Sequence, residues 1–361
     1  MKLADIFKNI TSSLSAGRGI LGVDIGTSSI KIVQLKKVKE RAILQTYGEL
    51  ALGPYAKLKV GQAVKLPEDT LSLAIKDLVK EAKISAKDAV VSIPLSSCFI
   101  TTISLPFTTN EGLEEIIRLE ARRYVPIPIS EVILDWWIIP QEVESGSKKR
   151  ETTQVLLVAI HKNVIESYKK IMAGSGLNVV AYEIESFSSI RSSLGRENTA
   201  TALLDFGAST TKLSIVDYGV LKSSYSIDHG SQELTLILSK SLGVDFSRAE
   251  QIKREIGLSE LPEHREIVGI LEPVLGYIFS EAGRFIRDYQ VRNNRSVGKV
   301  VLTGGGASLK GIIDFSIKRF TIEVVKADPF LKVEYPVFLS EVLKNIGVNF
   351  SVAVGLAIRE L

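Results

Sequence analysis

The stretch GVDIGTSSIKIVQL, residues 22–35, decides the fold of this 361-residue chain because a second stretch repeats it. LLDFGASTTKLSIV, residues 203–216, carries the same residue types at a constant offset, and strand-like apolar residues flank both. A repeat this long is the spacing of two similar domains rather than the period of a solenoid. The matched pairs are Asp24 with Asp205, Gly26 with Gly207, Ser28 with Ser209, and Lys31 with Lys212.

Each copy places an aspartate and a glycine at the turn between two strands that we expect to form a hairpin. Glycine lets the backbone approach an anion, and the turn N–H groups with the Ser and Thr hydroxyls can hold phosphate oxygens. Asp24 and Asp205 suit a magnesium ion held through water, and Lys31 adds a charge that reaches the phosphates. One copy alone is better explained by an ordinary turn. Two copies predict two hairpins that bind one polyphosphate from opposite sides.

Two further motifs agree with a nucleotide site. A glycine run follows an apolar strand and precedes a helix, where backbone without side chains can lie against a base or a phosphate. The run is Gly304, Gly305 and Gly306. It is not a Walker loop, because Ile312 stands where that motif needs lysine. On a predicted helix, Glu250 and Lys253 share a face, which a solvated salt bridge and a ribose contact explain equally well.

Composition excludes several other classes of protein. The net charge of +4, from 45 Lys and Arg against 41 Asp and Glu, argues against nucleic-acid binding. One cysteine favours a reducing compartment, and three separated histidines lack the spacing of a zinc site. The longest apolar run, residues 155–160, is too short to span a bilayer, and Asp5 and Lys8 exclude a secretory signal. We therefore expect a cytoplasmic protein.

The rest of the chain predicts an α/β insertion between the two copies. Residues 132–139 and 153–161 are expected to pair as a hairpin across the polar loop of residues 141–153, after a helix capped by Asn110. Residues 1–16 have the pattern of a short amphipathic helix, and the helix at 265–292 is expected to break at Pro273.

These motifs resemble the phosphate-1, phosphate-2 and adenosine motifs of the actin, heat-shock chaperone and sugar kinase superfamily. Within it, ARRYVPIPISEVILDW at 121–136 and SVAVGLAIREL at 351–361 are similar to the PilM family of type IV pilus assembly proteins, relatives of the cell-division protein FtsA. The resemblance implies an α/β, actin-like ATPase (ribonuclease-H-like) fold, with two similar domains around a nucleotide cleft and an FtsA-type 1C insertion. The implied layout is subdomain 1A at 17–85 and 177–198, subdomain 1C at 86–176, subdomain 2A at 199–230 and 297–346, subdomain 2B at 231–296, and a C-terminal helix packing on 1A at 347–361.

The resemblance also implies a function. It describes a cytoplasmic scaffold that binds ATP and Mg, with nucleotide as latch or switch, and that is peripheral at the inner membrane through its partner. That partner is the N-terminal cytoplasmic peptide of a PilN-like membrane protein, bound between 1A and 1C. Other pilus assembly ATPases and a homo-oligomer are further partners that the resemblance allows. Ala208 stands where actin-like hydrolases often carry a second acid, so ATPase activity is expected to be slow or absent.

Residue roles follow from the motif positions. The resemblance assigns cofactor binding to Asp24, Gly26, Thr27, Ser28, Lys31, Asp205, Gly207, Ser209, Thr210, Glu250, Lys253, Gly304, Gly305 and Gly306. Asp24 and Asp205 would hold magnesium through water, and Glu185 would polarise the attacking water in a hydrolytic member. Partner binding is assigned to Arg122, Arg123, Tyr124 and Ile127, although a helix end leading into a strand explains these four equally well.

Two alternatives share the fold. A small-molecule kinase would need a carboxylate base and a cluster of polar residues for the acceptor, and the sequence shows neither. A membrane-associated, FtsA-like filament protein would carry a C-terminal amphipathic anchor. The sequence reaches Leu361 within the predicted terminal helix, so we expect no such anchor.

Overall fold

The computed structural model describes residues 19–106, 112–139, 152–195, 197 and 199–361. The expected helix at 1–16, the Asn110 cap and most of the polar loop at 141–153 lie outside these ranges. The strands are β1 (Ile20–Ile25), β2 (Ser29–Val38), β3 (Arg41–Ala51), β4 (Asp88–Ile93), β5 (Cys98–Pro106), β6 (Val132–Ile138), β7 (Thr152–His161), β8 (Asn178–Ile184), β9 (Ala200–Phe206), β10 (Thr211–Asp217), β11 (Val220–Ile227), β12 (Val297–Thr303) and β13 (Glu323–Lys326). The α-helices are α1 (Glu68–Glu81), α2 (Leu113–Tyr124), α3 (Lys162–Ser175), α4 (Glu185–Ser193), α5 (Ser231–Leu242), α6 (Phe246–Ile256), α7 (Arg265–Asn293), α8 (Ile312–Phe320), α9 (Ser340–Ile346) and α10 (Ser351–Arg359).

Two five-stranded sheets have the same topology. Their strand orders are β3-β2-β1-β4-β8 and β11-β10-β9-β12-β13. In each sheet three antiparallel strands are followed by two parallel ones. Asp24 pairs with Lys31 across the first hairpin, and Asp205 pairs with Lys212 across the second. The repeat therefore extends from a short motif to two whole sheets, which confirms two similar domains, here called the first and the second domain.

The first sheet is buried on both faces, which explains why β1 is apolar along nearly its whole length. Helices α1 and α3 cover one face, and α4 and α10 lie on the other. Two glycines allow the close approach of α10. A Cβ at Gly22 of β1 would overlap the carbonyl oxygen of Ala353, and a Cβ at Gly355 would overlap that of Ser188 on α4. Any side chain at either position would push backbones apart.

The stretch Val337–Arg359 has a membrane-span-like mean hydropathy of 1.3. The structure divides it into two short 3-10 segments, Val337–Leu339 and Gly347–Phe350, and the helices α9 and α10. Residues 351–357 of α10 are all buried against the first domain. The apolar character of this part of α10 is therefore that of a core helix.

The insertion contains an antiparallel three-stranded sheet of order β5-β7-β6, here called the inserted sheet, and α2 packs on it. The expected hairpin is confirmed as β6 and β7. The expected bounds of the insertion, 86–176, nevertheless include two elements that the structure places in the first domain. Strand β4 pairs in parallel with β1 and β8, and α3 packs against α1. The inserted sheet also contacts the second domain, through β5 and β11.

The expected break at Pro273 is wrong, because α7 continues through this residue. Proline removes one backbone hydrogen bond and disfavours a helix interior. The buried face of α7 runs on both sides of Pro273, through Leu271, Leu275 and Ile278. Packing of this continuous face against the core of the second domain outweighs the free-energy cost of the missing backbone hydrogen bond at Pro273.

Candidate functional site

A cavity of about 440 Å³ lies between the two domains, where the turns of both hairpins meet. Every residue that the sequence analysis assigned to nucleotide, magnesium or water lines this cavity. These residues are Asp24, Gly26, Thr27, Ser28, Lys31, Glu185, Asp205, Gly207, Ser209, Thr210, Glu250, Lys253, Gly304, Gly305 and Gly306. The structure thus brings these residues together from five separate segments of the chain around one space.

The two hairpin turns, residues 24–31 (the first turn) and 205–212 (the second turn), have the same local geometry. The N–H of Gly26 donates to the carbonyl of Ser29 at 3.1 Å, and the N–H of Gly207 donates to that of Thr210 at 3.0 Å. A Cβ would lie 2.9 Å from Ser29 O at Gly26 and 2.7 Å from Thr210 O at Gly207. Both turns therefore need glycine for the close approach of backbone, and neither glycine has a positive φ.

The opposite walls of the cavity touch. Thr27 Oγ1 of the first turn lies 3.1 Å from Ser209 Oγ of the second. The loop after β3 also connects the walls: the N–H of Val64 donates to the carbonyl of Thr27 at 2.9 Å, and the N–H of Ala63 donates to Gln232 Oε1 on α5. The hydroxyl groups of both turns therefore face one another across the same space.

A carboxyl group stands near the end of each central strand, buried at Asp24 and partly buried at Asp205. Burial raises the pKa of Asp24 to about 6, against the opposing attraction of Lys31. Its Oδ1 accepts a hydrogen bond from Ser92 Oγ at 3.0 Å. Burial likewise raises the pKa of Asp205, with Lys212 opposing the shift. A cation bound beside either carboxyl group would favour its ionised form.

Lys212 is a site residue that the sequence analysis did not assign, although its match to Lys31 was visible. Its Nζ lies 2.6 Å from Glu185 Oε2 and 3.9 Å from Asp205 Oδ2. Burial alone would lower its pKa, but these two acids raise it. Lys31, on the other wall, donates to Ser29 Oγ at 2.8 Å and lies 3.7 Å from Glu49 Oε1. Each wall therefore supplies one ammonium group.

Glu185 has a different environment from the one a water-activating base needs. While Oε2 faces Lys212, its Oε1 accepts the N–H of Leu95 at 2.6 Å. Both carboxylate oxygens already have a protein partner. Water polarisation by Glu185 stays a prediction, and the geometry favours a structural link instead.

The glycine run presents bare backbone to the cavity. Gly304 has φ +81°, which favours glycine, and a Cβ there would overlap the Asp205 carboxylate. A Cβ at Gly306 would overlap the ring of Phe206. Beside the run, Asn349 Oδ1 is buried and finds no hydrogen-bond donor among the described residues. This wall offers a flat surface with one unsatisfied acceptor, which a ligand N–H or O–H group can satisfy.

The pair Glu250 and Lys253 lies on the wall formed by α6. Their charged groups are 2.6 Å apart, and Thr235 Oγ1 donates to Glu250 Oε2 at 2.6 Å. Lys253 is only 7% exposed. Lys253 is therefore buried and Glu250 partly buried at the cavity wall, and the ribose contact stays a prediction.

The four residues assigned to a partner lie elsewhere, at the end of α2 and just beyond it. Arg122, Arg123 and Tyr124 are exposed, and Ile127 is half-buried against the core of the inserted sheet. Arg123 is paired with Glu120 at 3.1 Å. None of the four lines the cavity.

Two repeated domains that meet at one cleft define the actin-like ATPase fold, which solved structures share. The PilM-PilN type IV pilus biogenesis complex has a TM-score of 0.79 at 24% identity and covers 94% of this chain and 98% of that one. The ethanolamine utilization protein EutJ from Carboxydothermus hydrogenoformans has a TM-score of 0.56 at 18% identity, covering 98% and 94%. MreB5 of Spiroplasma citri bound to ADP has a TM-score of 0.54 at 12% identity, covering 95% and 96%.

The family model for type IV pilus assembly protein PilM matches residues 22–361, and this chain belongs to that family. Among curated relatives, the cell division protein FtsA of Enterococcus hirae is 23% identical over 349 residues, covering 84% of this chain and 77% of its own length.

Proposed function

We propose that the chain is a scaffold of the type IV pilus assembly platform that is controlled by a nucleotide. ATP with magnesium binds in the cavity between the domains, and the N-terminal cytoplasmic tail of a PilN-like membrane protein binds between the first domain and the inserted sheet. The observation that carries the proposal is the pair of turns with equal hydrogen bonds, facing each other across one cavity.

The donors around the cavity fit a triphosphate. Hydroxyl groups of Thr27 and Ser28 lie on one side, those of Ser209 and Thr210 on the other, with one lysine on each wall. Bare backbone at residues 304–306 leaves room for a nucleoside, and α6 provides polar groups at the same wall. Such a set suits a ligand that has several negative charges at one end and a flat ring at the other.

Magnesium fits the two aspartates at the cavity. The described residues contain no group of three or more His, Cys, Asp or Glu that could hold a metal by itself. Magnesium usually keeps several waters and binds one or two carboxylates together with substrate phosphates. Asp24 and Asp205 would hold it in this way, and its charge would compensate the burial of both carboxylates.

The nucleotide acts as a latch in this proposal. Both domains donate to the same phosphates, so binding favours the closed cleft. Ala208 supplies no second acid in the second turn, and Glu185 is occupied by Lys212 and Leu95, so turnover is slow or absent. Coupling between two sites is typically worth about 1–3 kcal/mol, which is enough for closure to alter the affinity for a partner.

The partner peptide is proposed for the surface near the end of α2. Arg122, Arg123 and Tyr124 present two cations and an aromatic ring to solvent. The solved neighbour is a PilM-PilN complex, which supports a PilN-like partner. In this arrangement the chain is cytoplasmic and reaches the inner membrane through that partner.

The test measures two affinities by titration calorimetry. The protein should bind ATP only weakly without magnesium and more tightly with it. A synthetic N-terminal PilN peptide should then show a different affinity with and without magnesium ATP. Equal peptide affinities with and without magnesium ATP would show that the nucleotide does not control peptide binding and that the protein is a constitutive scaffold. Absence of ATP binding would refute the assignment of the cavity.

A further inference from the structure

The side chain of Glu185 connects three parts of the molecule. It is the first residue of α4, directly after β8 of the first domain, and it is 8% exposed. Its two carboxylate oxygens have different partners. Oε2 accepts from Lys212 of the second domain, and Oε1 accepts from the backbone of Leu95.

Leu95 stands at the point where the chain enters the inserted sheet. It opens a 3-10 turn, Leu95–Ser97, and β5 begins at the next residue, Cys98. The turn follows β4, whose last residue, Ile93, pairs with Ile184 just before Glu185. The hydrogen bond from Leu95 therefore holds the start of the inserted sheet to the end of β8.

Lys212 stands at the other end of the link, beside the second turn. It pairs with Asp205 across β9 and β10, and its ammonium group lies at the cavity wall. A phosphate bound at the second turn brings negative charge next to this ammonium and competes with Glu185 for it. Ligand binding at the turn therefore changes the partner of Glu185.

We propose that Glu185 is a positioning residue that couples occupancy of the cavity to the orientation of the inserted sheet. This inference rests on the proposed function, since it assigns the contact through which nucleotide binding reaches the partner surface. When phosphate attracts Lys212, Glu185 loses its charged partner, and its hold on the Leu95 amide changes. The orientation of the inserted sheet then changes at its attachment near Leu95, while the packing of its own core stays the same.

The chain carries its own reporter for the inserted sheet. Its two tryptophans, Trp136 and Trp137, both lie on β6. Trp136 packs against the core of the inserted sheet, and Trp137 is 70% exposed. Acrylamide quenching of tryptophan fluorescence therefore reports on the inserted sheet alone, and hydrogen exchange of a peptide containing Leu95 reports on its attachment.

The experiment compares wild type, Glu185→Gln and Glu49→Gln at saturating magnesium ATP, with ATP occupancy checked separately by calorimetry. Glutamine at 185 keeps an acceptor for Leu95 but loses the charge that attracts Lys212. Wild type should change its quenching constant and its exchange at Leu95 when ATP binds, whereas Glu185→Gln should lose both responses while still binding ATP. Glu49→Gln removes a carboxylate at the same cavity with no contact to Leu95, and its responses should persist.

Lys212→Met provides a second variant if Glu185→Gln does not fold. It breaks the same link from the other domain, and it should also lose the tryptophan response at saturating ATP. A full response in a folded, ATP-bound Glu185→Gln or Lys212→Met protein would overturn the inference and leave the proposed function intact. A wild-type protein that binds ATP with no response at all would also overturn it. Failure of wild type to bind ATP would instead overturn the proposed function.

Discussion

Replacing Asp24 by asparagine should make the ligand-free protein more stable at neutral pH. The pKa of Asp24 rises from 3.8 to about 6, chiefly through burial. The folded chain therefore holds this proton more tightly than the unfolded chain does. Between these two pKa values the folded state binds more protons, so the free energy of unfolding falls as the pH rises through that window.

The size of the effect follows from the shift. A difference of roughly two pKa units, at 1.36 kcal/mol per unit, gives about 3 kcal/mol of lost stability above pH 6. This value already includes the attraction of Lys31 and Lys212, which opposes the shift. Asparagine is uncharged at every pH and can still accept the hydrogen bond from Ser92. Its advantage should therefore be largest above pH 6, shrink as the pH falls towards 4, and vanish only below the unfolded pKa of 3.8.

The assay is thermal or urea unfolding of wild type and Asp24→Asn at pH 4.5, 6.0 and 7.5, without nucleotide. The gain at pH 7.5 should be almost fully retained at pH 6.0 and fall to about a third of its value at pH 4.5. Asp288→Asn, on the exposed side of α7, is the control and should change little at any pH. A variant less stable than wild type at pH 7.5, or one with an equal gain at all three pH values, would refute the reasoning.

Three further predictions concern affinity and packing. Lys31→Ala should weaken ATP binding about tenfold or more, because a charge-assisted hydrogen bond contributes roughly 1.5–3 kcal/mol; unchanged affinity by calorimetry would show that Lys31 does not reach the phosphates. Gly355→Ala should destabilise the protein by about 1–3 kcal/mol or more in urea unfolding, because its Cβ overlaps Ser188. Gly269→Ala, with open space at its Cβ, should be neutral or stabilising, and similar losses for both variants would contradict the packing argument. Tyr124→Ala should weaken binding of the PilN peptide while ATP affinity stays the same. Unchanged peptide affinity would show that the peptide binds away from the end of α2.

Much of the fold could be predicted because the chain repeats itself. The matched residues of the two turns have local requirements: a glycine where backbone approaches backbone, and hydroxyls at the tip. Such requirements are visible in a single sequence. The hairpins were predictable in this way, whereas the register that pairs Asp24 with Lys31 and Asp205 with Lys212 is seen only in the structure.

The contacts that could not be predicted join residues far apart in the chain. Strand β4 belongs to the first sheet through parallel pairing with β1, and nothing in its apolar sequence distinguishes that neighbour from another. The hydrogen bond from Leu95 to Glu185 spans 90 residues and uses a backbone group, which every residue has. The role of Lys212 was hidden for a different reason: its position was visible, but its acidic partners come from separate strands and helices.

The close contact at Gly355 also fixes α10 against α4, on the side of the first domain that leads to the cavity. With backbone against backbone at this crossing, α10 cannot tilt on α4 without a collision. The 3-10 segment Gly347–Phe350 directly precedes α10 and packs with both domains, through Val348 and Phe350. Val348 O in that segment accepts hydrogen bonds from Thr303 Oγ1 and from the N–H of Gly304, so the segment lies directly beside the glycine run of the cavity. A ligand bound against the glycine run would therefore lie next to a segment that joins the two domains.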